Sequence, residues 1–167
     1  DILILNNEDF ALKNCDFENK FKIFRVGIGD NCDFGAREIK INLDSVEFKC
    51  TYLNLDEKVS IKIVGMHNIL NSVIVLKICE ILKVPMDLMR KKFNNLFISS
   101  MRQEIFKHNQ MTLINDCYNA SPSSMKSGID VLNLYDGEKV CIFGDMLELG
   151  ENSRFYHEEV AKYSNGK

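Results

Sequence analysis

Asp116 stands at the end of a short apolar run, Met111-Thr-Leu-Ile114, and a few residues before a helix-like pattern. An apolar run of that length suits a buried strand, while Met125, Ile129 and Leu132 recur at helical spacing. Ser121, or one of the serines after it, can cap that helix, and Pro122 suits its first turn. The stretch therefore predicts strand, polar loop and helix, with Tyr118, Asn119 and Ala120 in the connector. In an open α/β sheet, ligands bind just beyond the carboxyl ends of strands. A bare carboxylate placed there can accept hydrogen bonds from two hydroxyls of a sugar; the alternative is that Asp116 caps a turn.

A second set of chemically able residues lies in Gly65-Met-His67-Asn68-Ile-Leu-Asn71, which opens a helical pattern running to about Lys83. Asn68 and Asn71 are three apart and share one face of its first turn. A carboxamide presents a donor beside an acceptor, which matches the N6 and N7 edge of adenine. The alternative makes Asn68 a cap and Asn71 a surface residue. Arg102 follows a polar stretch and by itself reads as a solvated surface arginine. Asp145 and Glu148, in Gly144-Asp-Met-Leu-Glu-Leu-Gly150, could cap the helix that follows. The six cysteines are scattered, with no C-x-x-C pair, and the three histidines are dispersed, which argues against zinc. Cys117 lacks a nearby histidine to activate it and is not read as a nucleophile.

The elements that must position these groups follow from patterning. Ile2–Leu5 reads as a strand buried on both faces, and Phe21–Val26 as another, with a short helix over residues 9–14 between them. The glycine-bearing segment 27–35 lacks the order G-x-G-x-x-G and reads as a loop. Residues 36–43, 46–53 and 58–64 alternate as three antiparallel strands of a small structural sheet, with Ile39, Ile41 and Leu43 on one face of the first. Pro85 separates the long helix from a short one over 86–93. A new α/β pattern begins after Asn94–Ser100, which sets a domain boundary at 98/99. Lys139–Phe143 reads as a further buried strand, and a helix starts near Ser153.

Composition bounds the rest. A hydrophobic content of 46% supports a real core, and a net charge of −3 with a pI near 5.7 disfavours nucleic acid and membrane surfaces as default partners. No apolar run approaches the roughly 18 residues of a membrane span. The start of the chain has no basic flank or cleavage-like site and does not read as a signal peptide. Scattered thiols in a chain with an ample core fit the reducing cytoplasm.

Asn115-Asp-Cys-Tyr-Asn-Ala-Ser-Pro-Ser-Ser-Met125 resembles the Asp-x-Tyr-Asn-Ala-x-Pro-x-Ser-Met signature of the Mur ligases, the ATP-dependent amide-forming enzymes of peptidoglycan synthesis. Gly65-x-His-Asn-x-x-Asn71, Met101-Arg-Gln-Glu104 and Gly144-Asp-Met-x-Glu-Leu-Gly150 resemble further motifs of the family, in the family's order; Met101 stands where the family has glycine. The Tyr-Asn-Ala-x-Pro form is that of the branch joining D-alanyl-D-alanine to UDP-N-acetylmuramoyl-tripeptide. The resemblance implies an α/β fold: residues 1–98 as the C-terminal part of the central ATP-binding domain with its small antiparallel sheet, and 99–167 as the start of a Rossmann-like C-terminal domain. It implies that Asn68 and Asn71, Arg102 and Asp116 bind the nucleotide, with Asn71 at adenine and Arg102 near the phosphates. Tyr118, Asn119, Asp145 and Glu148 are the implied substrate contacts, and His67 is a structural residue. His157 falls where the family often has a histidine.

ATP and Mg2+ are the implied cofactors, the metal ligands lying upstream. No G-x-x-x-x-G-K-[ST] loop occurs in the sequence, so the chain reads as a fragment that is inactive by itself. The expected partners are UDP-N-acetylmuramoyl-tripeptide and D-alanyl-D-alanine, with no nucleic acid, no membrane insertion and a monomeric state. The alternatives are another Mur-type or folylpolyglutamate synthase-like ligase and a non-catalytic nucleotide-binding module.

Overall fold

The computed structural model describes residues 1–15, 17, 20–96 and 100–166. The chain divides into two compact units, Asp1–Leu96 and Phe97–Lys167. The boundary expected at 98/99 falls among residues 97–99, outside the described residues.

In the first unit, β1 (Ile2–Asn6) pairs in parallel with β2 (Lys22–Ile28), from Ile2 opposite Lys22 to Asn6 opposite Val26. α1 (Phe10–Lys13) is a single turn, capped by the Asp9 carboxylate accepting from the Leu12 N–H at 2.9 Å. β3 (Phe34–Ile41) joins β2 in parallel over only Val26–Ile28. So short a parallel connection requires the 29–33 segment to fold back tightly on itself. Gly35 makes this possible: a Cβ there would sit 2.1 Å from the Gly29 carbonyl oxygen, so no side chain fits. The buried Asn7 steadies the same turn by donating from Nδ2 to the Asn31 carbonyl at 3.0 Å.

β4 (Val46–Tyr52) and β5 (Leu55–Ile61) continue the sheet in antiparallel fashion, giving one five-stranded sheet in the order β1-β2-β3-β4-β5. The three strands expected to pair in antiparallel fashion do so, and β3 also joins them to the parallel pair. Their turn also moves: Leu53 and Asn54, at φ 49° and 64°, form the hairpin, and β5 begins earlier than expected. Two successive positive φ values match the right-handed twist of flanking strands. A bulge between Arg37 and Lys40, with Glu38 at φ 48°, changes the parity of β3. Phe34 and Ala36 are buried before it, and Ile39 and Ile41 pack toward the core after it.

α2 (Met66–Ile81) lies on this sheet through Ile69, Val73 and Leu76, spaced four and three apart and fully buried. Each contributes roughly 1.5–3 kcal/mol of burial. α3 (Met86–Asn94) adds Met86, Met89 and Phe93 against β5. β1 is an edge strand: Leu5 is buried but Ile2 is half exposed, so the expected burial of β1 on both faces does not hold.

The second unit begins with an antiparallel hairpin, β6 (Glu104–His108) and β7 (Met111–Asn115). The sequence reading did not assign β6, and it took β7 as buried, whereas Met111 and Leu113 are largely exposed. α4 (Pro122–Leu132) starts as expected. Ser121 Oγ accepts from the Ser124 N–H, Ser124 Oγ accepts from the Ser121 N–H, and Pro122 occupies the first turn. α5 (Ser153–Asn165) follows a 3₁₀ turn at Gly150–Asn152. The two helices share a core of Ile129, Met146 and Val160, an ion pair between Lys126 and Glu159, and a bond from the Tyr163 hydroxyl to Asp130 at 2.8 Å. The strand expected over Lys139–Phe143 is absent: the segment is irregular, with Val140 and Ile142 exposed. Among the described residues this unit's sheet comprises β6 and β7 alone, and 139–143 does not join it, so the apolar run has no strand to pair with.

Candidate functional site

In the first unit, Gly65 enters α2 at φ 103°, a conformation only glycine adopts freely, and so starts the helix abruptly after the sheet. Asn68 spends its Nδ2 donor on the Val64 carbonyl at 2.7 Å, tying the first turn to the segment before it. The Asn68 backbone carbonyl accepts from the Ser72 hydroxyl at 2.6 Å. One donor of Asn68 is therefore committed to local structure, but Asn68 is not the cap: Gly65 holds that position and makes no side-chain bond, and the Asn68 amide donates to a carbonyl instead of accepting from a helix N–H. Asn71, a turn further on the same helix, is exposed and keeps its carboxamide uncommitted among the described residues. His67 is half-buried on the first turn.

In the second unit, Arg102, Asp116 and Tyr118 come together. The loop before β6 is wound tightly, with Met101 at φ 61° and Gln103 at φ 49°. Two carboxylates hold it. Glu104 accepts from the Met101 N–H at 3.3 Å and from the Ser100 hydroxyl at 3.4 Å. Asp116 Oδ1, at the end of β7, accepts from the Gln103 N–H at 3.2 Å. The Tyr118 N–H closes the far side by donating to the Met101 carbonyl at 3.1 Å. Arg102 is left projecting, its guanidinium 4.2 Å from the centre of the Tyr118 ring. Among the described residues no carboxylate pairs with it, so its donors are open to an anion, and stacking is what orients it. Asp116 Oδ2 faces α4 at Gly128, where even an added methyl would stand 3.7 Å away.

Asn119 is turned inward on its own backbone, its Oδ1 accepting from the Ala120 N–H at 3.0 Å. Asp145 and Glu148 both point to solvent; the Asp145 side chain is 91% exposed. Neither caps α5, whose N-cap Asn152 makes no side-chain bond, so the capping alternative is not what the structure shows. The holding roles of Gln103 and Glu104 were not foreseen; the mismatch at Met101 was the one sequence signal that this loop is conformationally special.

Three thiols are made weaker acids by burial. Burial pushes the Cys50 thiol up to about 12, and burial also raises Cys79 and Cys32. Cys117 is exposed and donates to Asn115 Oδ1 at 3.0 Å. Among the described residues no group of three or more His, Cys, Asp or Glu side chains could hold a metal ion, and no helix is long and apolar enough to cross a membrane.

Residues 101–167 match the family model described as Mur ligase, glutamate ligase domain. The UDP-N-acetylmuramoyl-tripeptide–D-alanyl-D-alanine ligase of Buchnera aphidicola subsp. Baizongia pistaciae is 33% identical over 140 residues, which is 83% of this chain and 30% of that protein. The chain belongs to the Mur ligase family. The Bacillus subtilis ligase of the same name is 29% identical over 80% of this chain and 29% of its own length. Among solved Mur ligases, MurF from Acinetobacter baumannii superposes with a TM-score of 0.81 at 25% identity, over 88% of this chain and 32% of that one. MurF from Thermotoga maritima, solved in complex with ADP, gives 0.82 at 21% identity over 98% and 38%, which speaks for the fold alone. The chain thus spans about a third of the length of the Mur ligases it matches. The architecture is mixed α/β, as the resemblance implied.

Proposed function

We propose that this chain is the part of a D-alanyl-D-alanine-adding Mur ligase that reads the nucleotide and presents the acceptor amine. The observation that carries the reading is the Arg102 guanidinium stacked on Tyr118, with no carboxylate partner among the described residues, on the loop that Asp116 at the end of β7 holds through Gln103. An always-charged planar donor set and an accepting carboxylate suit a phosphate chain and a ribose. The activity for which the relatives are named supplies the substrate class.

In this reading Asn71 takes the adenine edge, Arg102 the phosphates and Asp116 the ribose hydroxyls. Asn68 has a supporting part at the helix start. Asp145 and Glu148 attract the ammonium group of D-alanyl-D-alanine, and Tyr118 and Asn119 line the approach to the peptide substrate. The reaction transfers the γ-phosphoryl group of ATP to the terminal carboxylate of UDP-N-acetylmuramoyl-tripeptide. The dipeptide ammonium gives up a proton to solvent, the free amine attacks the acyl carbon, and as the amide C–N bond forms the nitrogen loses a second proton while the C–O bond breaks and phosphate leaves. Arg102 contributes preorganised positive charge to that transfer. Among the described residues no group of three or more His, Cys, Asp or Glu side chains is arranged to hold Mg2+. The expected site of action is the cytoplasm, as a monomer.

The test is phosphate release by the complete protein, dependent on both UDP-N-acetylmuramoyl-tripeptide and D-alanyl-D-alanine. Asn71→Ala should raise the KM for ATP about tenfold and weaken discrimination against GTP. The 167-residue chain alone should release none. Activity with glutamate and a folate in place of these substrates would replace this reading with the folylpolyglutamate one.

A further inference from the structure

We infer that His157 is a positioning residue that latches the Gly144–Gly150 loop to α5 and thereby aims Asp145 and Glu148 at the amine substrate; the inference rests on the amine-binding reading of those two carboxylates. The ring is half-buried one turn into α5. Its Nδ1 lies 2.8 Å from the Ser153 carbonyl oxygen. A carbonyl only accepts, so Nδ1 carries the proton. That leaves the Nε2 lone pair for the Met146 N–H, which donates to it at 3.0 Å. The helix thus fixes the tautomer, and the tautomer fixes the loop.

The same residue of the loop is held a second time. The Met146 side chain is 3% exposed and packs with Ile129 and Val160 between the helices, and Leu149 packs against that cluster. The segment around it has no regular structure, and Glu148 and Gly150 turn it through φ 62° and 58°. In such a segment, pinning residue 146 by both its backbone and its side chain sets where the residues beside it point. Asp145 is its immediate neighbour, with its carboxylate 3.9 Å from His157 Nε2, and Glu148 lies two residues on; both are solvent-facing. Small misplacements of groups that orient a nucleophile are costly in rate, which gives the latch its functional weight.

The experiment compares His157→Leu and His157→Gln in the complete ligase. Glutamine can offer its amide oxygen where Nε2 stands; leucine cannot. One neutral hydrogen bond corresponds to about two- to twelvefold in an equilibrium. His157→Leu should therefore speed hydrogen exchange at the Met146 amide and raise the KM for D-alanyl-D-alanine by factors in that range. The KM for ATP should stay within about twofold, and His157→Gln should recover most of the loss. Unchanged exchange at Met146 in a folded His157→Leu protein overturns the latch. Faster exchange with an unmoved dipeptide KM overturns the positioning role. An unmoved dipeptide KM in Asp145→Asn and Glu148→Gln as well would show that the amine-binding reading itself has failed, whatever Met146 reports.

Discussion

Asp116 is asked to do two things, and the structure separates them. Its Oδ1 already accepts from the Gln103 N–H at 3.2 Å and so helps to hold the loop that carries Arg102. That bond is exposed, and a bond of this kind contributes about 1 kcal/mol to folding. A carboxylate receiving hydroxyls of a bound ribose contributes more, roughly 1.5–3 kcal/mol per charge-assisted bond, or about ten- to 150-fold in kcat/KM. Asp116→Asn retains an oxygen for Gln103 and should unfold within about 0.5 kcal/mol of the parent. Asp116→Ala should lose about 1 kcal/mol of stability and well over tenfold in ATP-dependent turnover, more than the lost loop bond explains. The deciding assay crosses these variants with 2′-deoxy-ATP in the complete ligase. If the carboxylate holds the ribose, deleting the 2′-hydroxyl should cost the parent about tenfold or more and the alanine variant about twofold or less. Equal penalties in the two proteins would refute the ribose contact and leave Asp116 as the residue that ties down Gln103.

Other perturbations follow from the same loop and from the core. Tyr118→Leu should lower kcat/KM for ATP about two- to fivefold while Tyr118→Phe stays near the parent, and the leucine change should cost nothing further in an Arg102→Ala background; a phenylalanine variant as impaired as leucine would mean that the hydroxyl matters and the ring does not. Met101→Gly should stabilise the protein by about 1 kcal/mol, because φ 61° is strained for methionine and that side chain is 41% exposed, and a urea melt will show whether the midpoint rises. A thiol reagent at neutral pH should label Cys15, Cys117 and Cys141 first and Cys50 last. Cys50 is an acid whose folded pKa, about 12, lies above its ordinary 9.0, so its contribution to stability is complete below pH 9 and is lost as pH rises toward 12; Cys50→Val should flatten the stability curve in that window.

Much of the architecture is legible because it rests on local rules. The spacing of Ile69, Val73 and Leu76 announces α2, and the serines around Pro122 announce the start of α4. What escaped the sequence depends on contacts between distant segments. β3 is parallel to β2 across a short turn only because Gly35 lets two backbones meet, and alternation in residues 36–64 cannot reveal which neighbour the first strand takes. β6 is short and polar at both ends, so it shows neither periodicity clearly. Lys139–Phe143 has the composition of a buried strand, but composition does not provide the neighbour that a strand requires. For the site, residue types pointed to Arg102 and Asp116 separately. Their joint dependence on Gln103, Glu104 and Tyr118 follows from positive φ angles that no side-chain pattern encodes.

The hairpin of the second unit bears on how this chain behaves in a test tube. Among the described residues β7 has β6 on one side and no strand on the other, and Met111, Leu113, Val140, Ile142 and Phe143 show large apolar surfaces to water. An open strand edge, in a unit that also exposes a β-prone apolar segment, is a template for intermolecular pairing. Purified alone at high concentration, the chain should self-associate through this edge and precipitate on gentle warming, before its five-stranded sheet unfolds. A lysine at Ile142, the most exposed of these side chains at 92%, should raise its solubility limit without changing its melting temperature, because a charge there interrupts pairing and displaces no packed atom.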